Sequence, residues 1–334
     1  MRQYRGYFSL IIALIASLTV FTSLSCRGGY SGPAEPITIG TVLLEPTTPI
    51  IVAEEKQFFA HNGLDVTLKL YDTGLSAVDG MLRGEVDISA PVAEYVLVGK
   101  AFDKCKIQTI ASIDEVDYAF IIGRKDRGIQ AISNLNGKKV GVALGTILEF
   151  YLGRFLELHG MNIKDVVLVD TKLSQSANAI IGGDVDAVIS FAPYANAAQN
   201  KLGDNVVLWP AQSSQIFYSL VICREDWITD HPQLVNRFLK SLAQAEEYIV
   251  QNPMKARVIV QKRLDLDDVY MNTFWPEHQF SLCLDQSLIA AMEDEARWMI
   301  ANDLTTEKQV PDFMDYISMD CLKAIVPEAV NIIR

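Results

Sequence analysis

From residue 37 the chain alternates short apolar runs with amphipathic stretches. Residues 37–43 form the first run, followed by a loop holding Pro46 and Pro49 and an amphipathic stretch through Ala53, Phe58 and Phe59. That stretch stops at His61-Asn62-Gly63, and 66–71 is apolar again, so the pattern predicts strand, helix, strand. A turn at Gly74 leads to a helical stretch at 76–82, then to Gly84-Glu85-Val86-Asp87-Ile88-Ser89-Ala90-Pro91. About one hundred residues later the order recurs: a strand at 139–142, a helix at 146–158 stopped by His159-Gly160, a strand at 166–169 and a helical stretch at 174–181. Gly183-Asp184-Val185-Asp186-Ala187-Val188-Ile189-Ser190 follows, with Pro193 close behind. The two segments match element by element.

Strands and helices alternating at this spacing build parallel sheets, because each crossover helix packs back onto the sheet. Two α/β lobes are therefore expected. Ligands of such sheets sit at the carboxyl ends of the strands, where helix starts leave backbone N–H groups free. The loops that would line a cleft between the lobes are 43–48, 72–76, 90–95, 143–147, 171–176 and 190–194.

The first 25 residues change the picture of where the protein works. Arg2 and Arg5 precede an uncharged stretch whose centre, 10–24, is apolar or small, which reads as a secretory signal peptide, too short in its apolar core to span a bilayer. Ser23-Leu24-Ser25-Cys26 resembles a bacterial lipobox, although Leu24 stands two places before the cysteine where three is usual. Residues 26–36 then read as a flexible tether, and Cys26 as a lipidation site anchoring the chain outside the cytoplasm. With 29 Lys+Arg against 41 Asp+Glu the formal charge is −12, which argues against nucleic acid as a partner. Half the residues are hydrophobic, enough for two ordinary cores. Cys105, Cys223, Cys283 and Cys321 are far apart, and the four histidines form no ligand pair, so no metal and no cofactor is expected.

The ordered set of motifs resembles the periplasmic solute-binding proteins of ABC importers, in the taurine, nitrate, sulfonate and thiamine-precursor branch. The likeness spans 37–333. It rests on 84–88 (Gly-Glu-Val-Asp-Ile), on 123–129 (Gly-Arg-Lys-Asp-Arg-Gly-Ile) and on 134–142 (Asn-Leu-Asn-Gly-Lys-Lys-Val-Gly-Val) running into Leu144-Gly145-Thr146. Asp186-Ala187, Pro193-Tyr194 and His231-Pro232 extend it. The resemblance implies a two-lobed (type II) α/β fold, each lobe a mostly parallel sheet flanked by helices. The chain would cross between lobes near 112–118 and 213–219, giving lobe one as 37–116 plus 218–334, the latter mostly helical, and lobe two as 117–217. It also implies a monomer without enzyme activity that hands a small solute to an ABC permease and its ATPase.

Gly145-Thr146 opening a helix suits an anionic ligand group, and equally an ordinary helix cap. Thr73 and Ser76 carry the same double reading. Asp87 and Asp186 are expected to fix their turns by accepting backbone N–H bonds. Glu45, with Asp114, Glu115 and Asp117 at the first crossing and only Lys172 as a base in the cleft loops, favours a neutral or cation-bearing ligand, since a fixed carboxylate repels a sulfonate. Phe191, Tyr194, Phe217 and Tyr218 could stack on a flat ring such as a pyrimidine, or simply pack the core. Leu44, Ala90 and Pro91 complete the candidate ligand-binding set. Two alternatives belong to other classes: a ligand sensor signalling to a different membrane protein, and an enzyme resembling the fungal thiamine-pyrimidine synthase. The latter would require a cysteine-rich run that the sequence lacks.

Overall fold

The strands are β1 (Glu35–Thr41), β2 (Leu64–Leu70), β3 (Ile88–Ala93), β4 (Ile107–Val116), β5 (Ala119–Arg124), β6 (Lys139–Val142), β7 (Val167–Asp170), β8 (Ala187–Phe191), β9 (Val206–Pro210), β10 (Phe217–Arg224) and β11 (His278–Gln279) in a computed structural model that describes residues 30–213 and 215–333. The signal segment and Cys26 lie outside the described residues. Everything below belongs to the unit Gly32–Arg334. The longer helices are α1 (Thr48–Glu55), α2 (Gly74–Leu82), α3 (Glu94–Phe102), α4 (Ile147–Leu158), α5 (Ser176–Gly182), α6 (Ala192–Leu202), α7 (Pro232–Gln251), α8 (Pro253–Leu264), α9 (Asp268–Phe274) and α10 (Gln286–Ala301). No helix among the described residues is long and apolar enough to cross a membrane.

The strands make two sheets, in the orders β11-β4-β10-β3-β1-β2 and β7-β6-β8-β5-β9. The repeat seen in the sequence is a repeat in topology. β1 pairs in parallel with β2 and β3, as β6 does with β7 and β8. The two aspartates of the repeat do the same work. Asp87 Oδ2 accepts the N–H of Thr38 within β1 (2.8 Å) and Asp186 Oδ2 that of Lys139 opening β6 (3.1 Å), so each ties to the central strand beside it rather than to its own turn. Gly183 ends its helix at a φ of +82°, the left-handed conformation that residues with a side chain rarely adopt.

The fold is α/β, but both sheets are mixed rather than mostly parallel. β10 lies antiparallel between β3 and β4, and β5 antiparallel between β8 and β9. These are the strands that carry the chain between sheets, outward from β4 to β5 and back from β9 to β10, so each arrives running against its neighbours. Gln212, 1% exposed, ties the two passages together. Its Oε1 accepts the N–H groups of Tyr118 (2.8 Å) and Ala119 (2.9 Å), and its Nε2 donates to the carbonyls of Val116 (2.9 Å) and Gln215 (2.8 Å).

The C-terminal helices were expected to pack on the first sheet's side, and α7 does so, burying Phe238, Leu239 and Leu242 and packing on α1. α10 packs on α3 of the same half and also reaches the other half. The Trp298 indole donates to Glu157 Oε1 on α4 (3.0 Å), and its ring lies so close to Gly153 that a Cβ there would be 2.1 Å away.

Removing the Gln212 amide leaves buried backbone groups without partners, each costing about 1–3 kcal/mol. Gln212→Ala should therefore destabilise the protein by about 3 kcal/mol or more, read as a lower denaturation midpoint at unchanged m value. A midpoint within error of wild type would show that the passages are held by something else.

Candidate functional site

The carboxyl ends of β1, β2 and β3 face those of β6, β7 and β8 across a narrow cavity of about 40 Å³. The first half contributes Leu44 and Pro46 after β1, Thr73 and Leu75 at the start of α2, and Pro91 and Ala93 from β3. The second contributes Ala143, Thr146 and Leu148 after β6, Leu173 after β7, and Phe191 at the end of β8. Tyr118 and Phe217, from the two passages between sheets, line it as well. The walls are largely apolar, and no Lys or Arg among the described residues stands on them.

The halves are in contact around this cavity. Both Asp72 carboxylate oxygens, at the end of β2, accept backbone N–H groups across the gap, Oδ2 from Leu173 (3.0 Å) and Oδ1 from Ser174 (3.2 Å). Leu75 sits over Gly145, whose φ of +72° and lack of a Cβ allow the approach; a Cβ would be 3.1 Å from the leucine.

Of the residues singled out in the sequence, Leu44, Thr73, Pro91, Thr146, Phe191 and Phe217 stand together on the cavity wall. Ser76, Ala90, Glu45, Gly145, Tyr194 and Tyr218 do not. Ser76 closes a capping box with Thr73: its N–H donates to Thr73 Oγ1 (3.1 Å) and its hydroxyl to the Thr73 carbonyl (2.8 Å). Ala90 is fully buried within β3. Gly145 borders a neighbouring open groove, and Tyr218 a second cavity. Beside the start of α4, Glu149 Oε2 accepts the N–H of Gly145, the residue before the cap (2.9 Å), while the cap residue Thr146 donates its hydroxyl to the Ala143 carbonyl (2.7 Å) and makes no side-chain cap to the helix. A second anion there would meet like charge.

Tyr118 lines the cavity without having been singled out in the sequence, and Leu173 does so from the expected cleft loop 171–176 without having been named individually. Tyr118 stacks on Phe191 with centroids 4.7 Å apart and planes 12° from parallel, and Phe217 meets the pair edge-on. On its far side Tyr118 packs against His278. There Glu45, 1% exposed, accepts a hydrogen bond from the Tyr270 hydroxyl, and Asp114 Oδ2 pairs with His278 Nδ1 (2.8 Å). Glu45 Oε2, Asp114 Oδ1 and His278 Nε2 are buried without a protein partner. Tyr270 and His278 come from the helical C-terminal region, where no repeat or motif marked them.

Burial raises the Glu45 carboxyl above its ordinary value of 4.5, against the lowering pull of His278 and the Tyr270 hydroxyl. Burial alone would lower His278, yet the charge and hydrogen bond of Asp114 outweigh it and the imidazole is raised. Both groups bind protons more tightly folded than unfolded, so stability from this cluster is present at low pH and is lost as pH rises through the raised values. The unfolding temperature should fall from pH 5 to pH 8, and Glu45→Gln, which keeps the Tyr270 contact, should shallow that slope; an identical slope in the variant would exclude Glu45 as a source.

The facing parallel strand ends, with two return passages between mixed sheets, define a periplasmic-binding-protein fold. The alkanesulfonate-binding protein of Xanthomonas axonopodis pv. citri, solved with MOPS bound, superposes at a TM-score of 0.75 and 13% identity, covering 86% of this chain and 100% of that one. Residues 46–256 match the family described as NMT1/THI5 like, and the chain belongs to that family. A Bacillus subtilis (strain 168) protein named for binding aliphatic sulfonates is 22% identical over 311 residues, covering 91% of this chain and 94% of its own length. A 4-amino-5-hydroxymethyl-2-methylpyrimidine phosphate synthase of Saccharomyces cerevisiae is 25% identical over 226 residues, 62% of this chain and 64% of the synthase.

Proposed function

We propose that this protein is an extracytoplasmic solute-binding lipoprotein that captures a small solute between its halves and delivers it to an ABC importer. The apolar cavity at the facing strand ends carries the reading. The solute would first meet one half; closure would then add contacts from the other, with Asp72 latching onto the Leu173 and Ser174 N–H groups. Micromolar affinity, about −8 kcal/mol, suffices for such capture.

The solute we infer is a flat neutral or cation-bearing ring rather than a sulfonate. Phe191 and Phe217 offer ring surface at the cavity, no Lys or Arg among the described residues lines its walls, and the Glu149 carboxyl stands beside the start of α4 where an anion would sit. Glu45 lies behind the wall and adds negative potential. The yeast synthase marks the enzymatic alternative, but Cys105, Cys223, Cys283 and Cys321 are free thiols spread along the chain and none lines the cavity.

A thermal-unfolding panel of pyrimidines, amines, sulfonates and carboxylates tests the class, because a ligand that binds only the folded state raises the midpoint. A pyrimidine or amine should stabilise the protein, and Phe191→Leu should weaken that ligand about tenfold, roughly 1.4 kcal/mol. Stabilisation by sulfonates alone would overturn the ligand class while leaving solute binding intact. For the anchor, metabolic labelling with a fatty-acid probe should mark the wild type and not Cys26→Ser; an unlabelled wild type removes the lipoprotein claim.

A further inference from the structure

A second cavity, of about 180 Å³, lies away from the first, at the junction of α4, α10 and the passage returning to β10. Its polar atoms are short of partners. Tyr151 is fully buried and its hydroxyl has no partner; the same holds for Glu295 Oε2 and Gln215 Oε1, all three residues lining the cavity. The amide nitrogen of Gln215 donates to Asp294 Oδ2 (3.2 Å), which leaves its oxygen as the free end.

Glu295 hydrogen-bonds a second buried carboxyl, Glu94, whose Oε2 accepts the N–H of Tyr218 (3.0 Å). Both are almost completely buried. Two carboxyls sharing one site cannot both ionise cheaply, so a proton is retained between them; burial raises both, Glu94 to about 8. The acids around the pair are Asp294, Glu115 and, facing Tyr95 and Tyr151, Glu149 and Asp117. Arg154, on α4 with Tyr151, is engaged by Glu157 at 3.1 Å and approaches Asp294 at 4.0 Å.

The remaining walls are carbon: the rings of Phe150, Tyr151 and Tyr218 with Ile216 and Ala291. Unpartnered oxygens, an acidic surround and aromatic walls match a cation that also carries an alkyl group. A hydrated metal ion would waste the apolar walls. We propose that this cavity is a second binding site, for a small organic cation of the primary alkylammonium type, spanning the two halves beside their crossing point. The ammonium donates to Glu295 Oε2, Gln215 Oε1 and Tyr151 Oη, its alkyl group lies against Phe150 and Ile216, and Glu295 releases its proton to solvent while Glu94 keeps one, so that a single carboxylate faces the cation.

The test uses the full-length protein with ethylammonium chloride, and sodium chloride at the same ionic strength, read by thermal unfolding and by calorimetry at pH 6 and pH 8. Ethylammonium should raise the midpoint where sodium does not. Release of one proton per cation should make the affinity higher at pH 8, by about tenfold at most per pH unit. Glu295→Gln and Tyr151→Phe should each weaken binding at least fivefold, and Tyr151→Phe alone decides if Glu295→Gln does not fold. Equal effects of sodium, no binding, or full affinity in both variants would overturn the site. Binding lost in Phe191→Leu and kept in Glu295→Gln would place the cation in the first cavity, and would overturn it equally.

Discussion

The structure depends on the double passage of the chain between its sheets, and that passage depends on one buried amide. Gln212 gives its oxygen to one strand of chain and its nitrogen to both, meeting four backbone groups that burial would otherwise leave unpaired. Those passages place Tyr118 and Phe217 at the cavity, so the same tie that joins the halves also sets the aromatic wall between them. Connection and site are one construction, and a change in the crossing geometry would be felt at the ligand.

The surroundings of the cavity are acidic but its lining is apolar. Glu45, Asp114, Glu94 and Glu295 are all buried, and the shifts of Glu45, Glu94 and Glu295 are upward, with desolvation as the largest cause. A protein built to hold an anion in this position would gain from a base on the wall or an open helix start. Here the wall carries no base and Glu149 takes the Gly145 N–H. The similarity to sulfonate binders is thus one of scaffold, and the chemistry of the lining has to be read from this chain.

Much of the scaffold was legible because it obeys local rules. The strand-helix-strand repeat and the glycine stops are set by periodicity and turn chemistry, while the pairing of Asp87 with Asp186 was visible but their partners, Thr38 and Lys139 on the adjacent strands, were not. The mixed character of the sheets was not, since β4 and β10 are almost continuously buried and their direction is fixed by partners far along the chain. At the site, the loops following β1, β2, β3, β6 and β8 were found from topology. Whether a residue in them faces the cavity turned on a detail below that level: Thr73 lines it while Ser76, three positions on, spends its hydroxyl on the Thr73 carbonyl. Tyr270 and His278 were invisible because a long-range fold brings them to Glu45 and Asp114, and no spacing in the sequence records that.

The two halves repeat one topology and yet end it differently. At the start of α2 Thr73 and Ser76 form a neutral capping box, whereas at the start of α4 the cap residue Thr146 turns its hydroxyl to the Ala143 carbonyl and Glu149 takes the N–H of Gly145 before it. The neutral cap leaves Asp72, one residue earlier, free to reach across and accept the N–H groups of Leu173 and Ser174. One half therefore supplies a negative group to the interface and the other supplies the donors that receive it. This asymmetry gives closure a defined register, because the carboxylate finds its two donors only when β2 and β7 present their ends to each other. The duplicated scaffold brings the halves face to face, and the divergence of the loops determines how they engage.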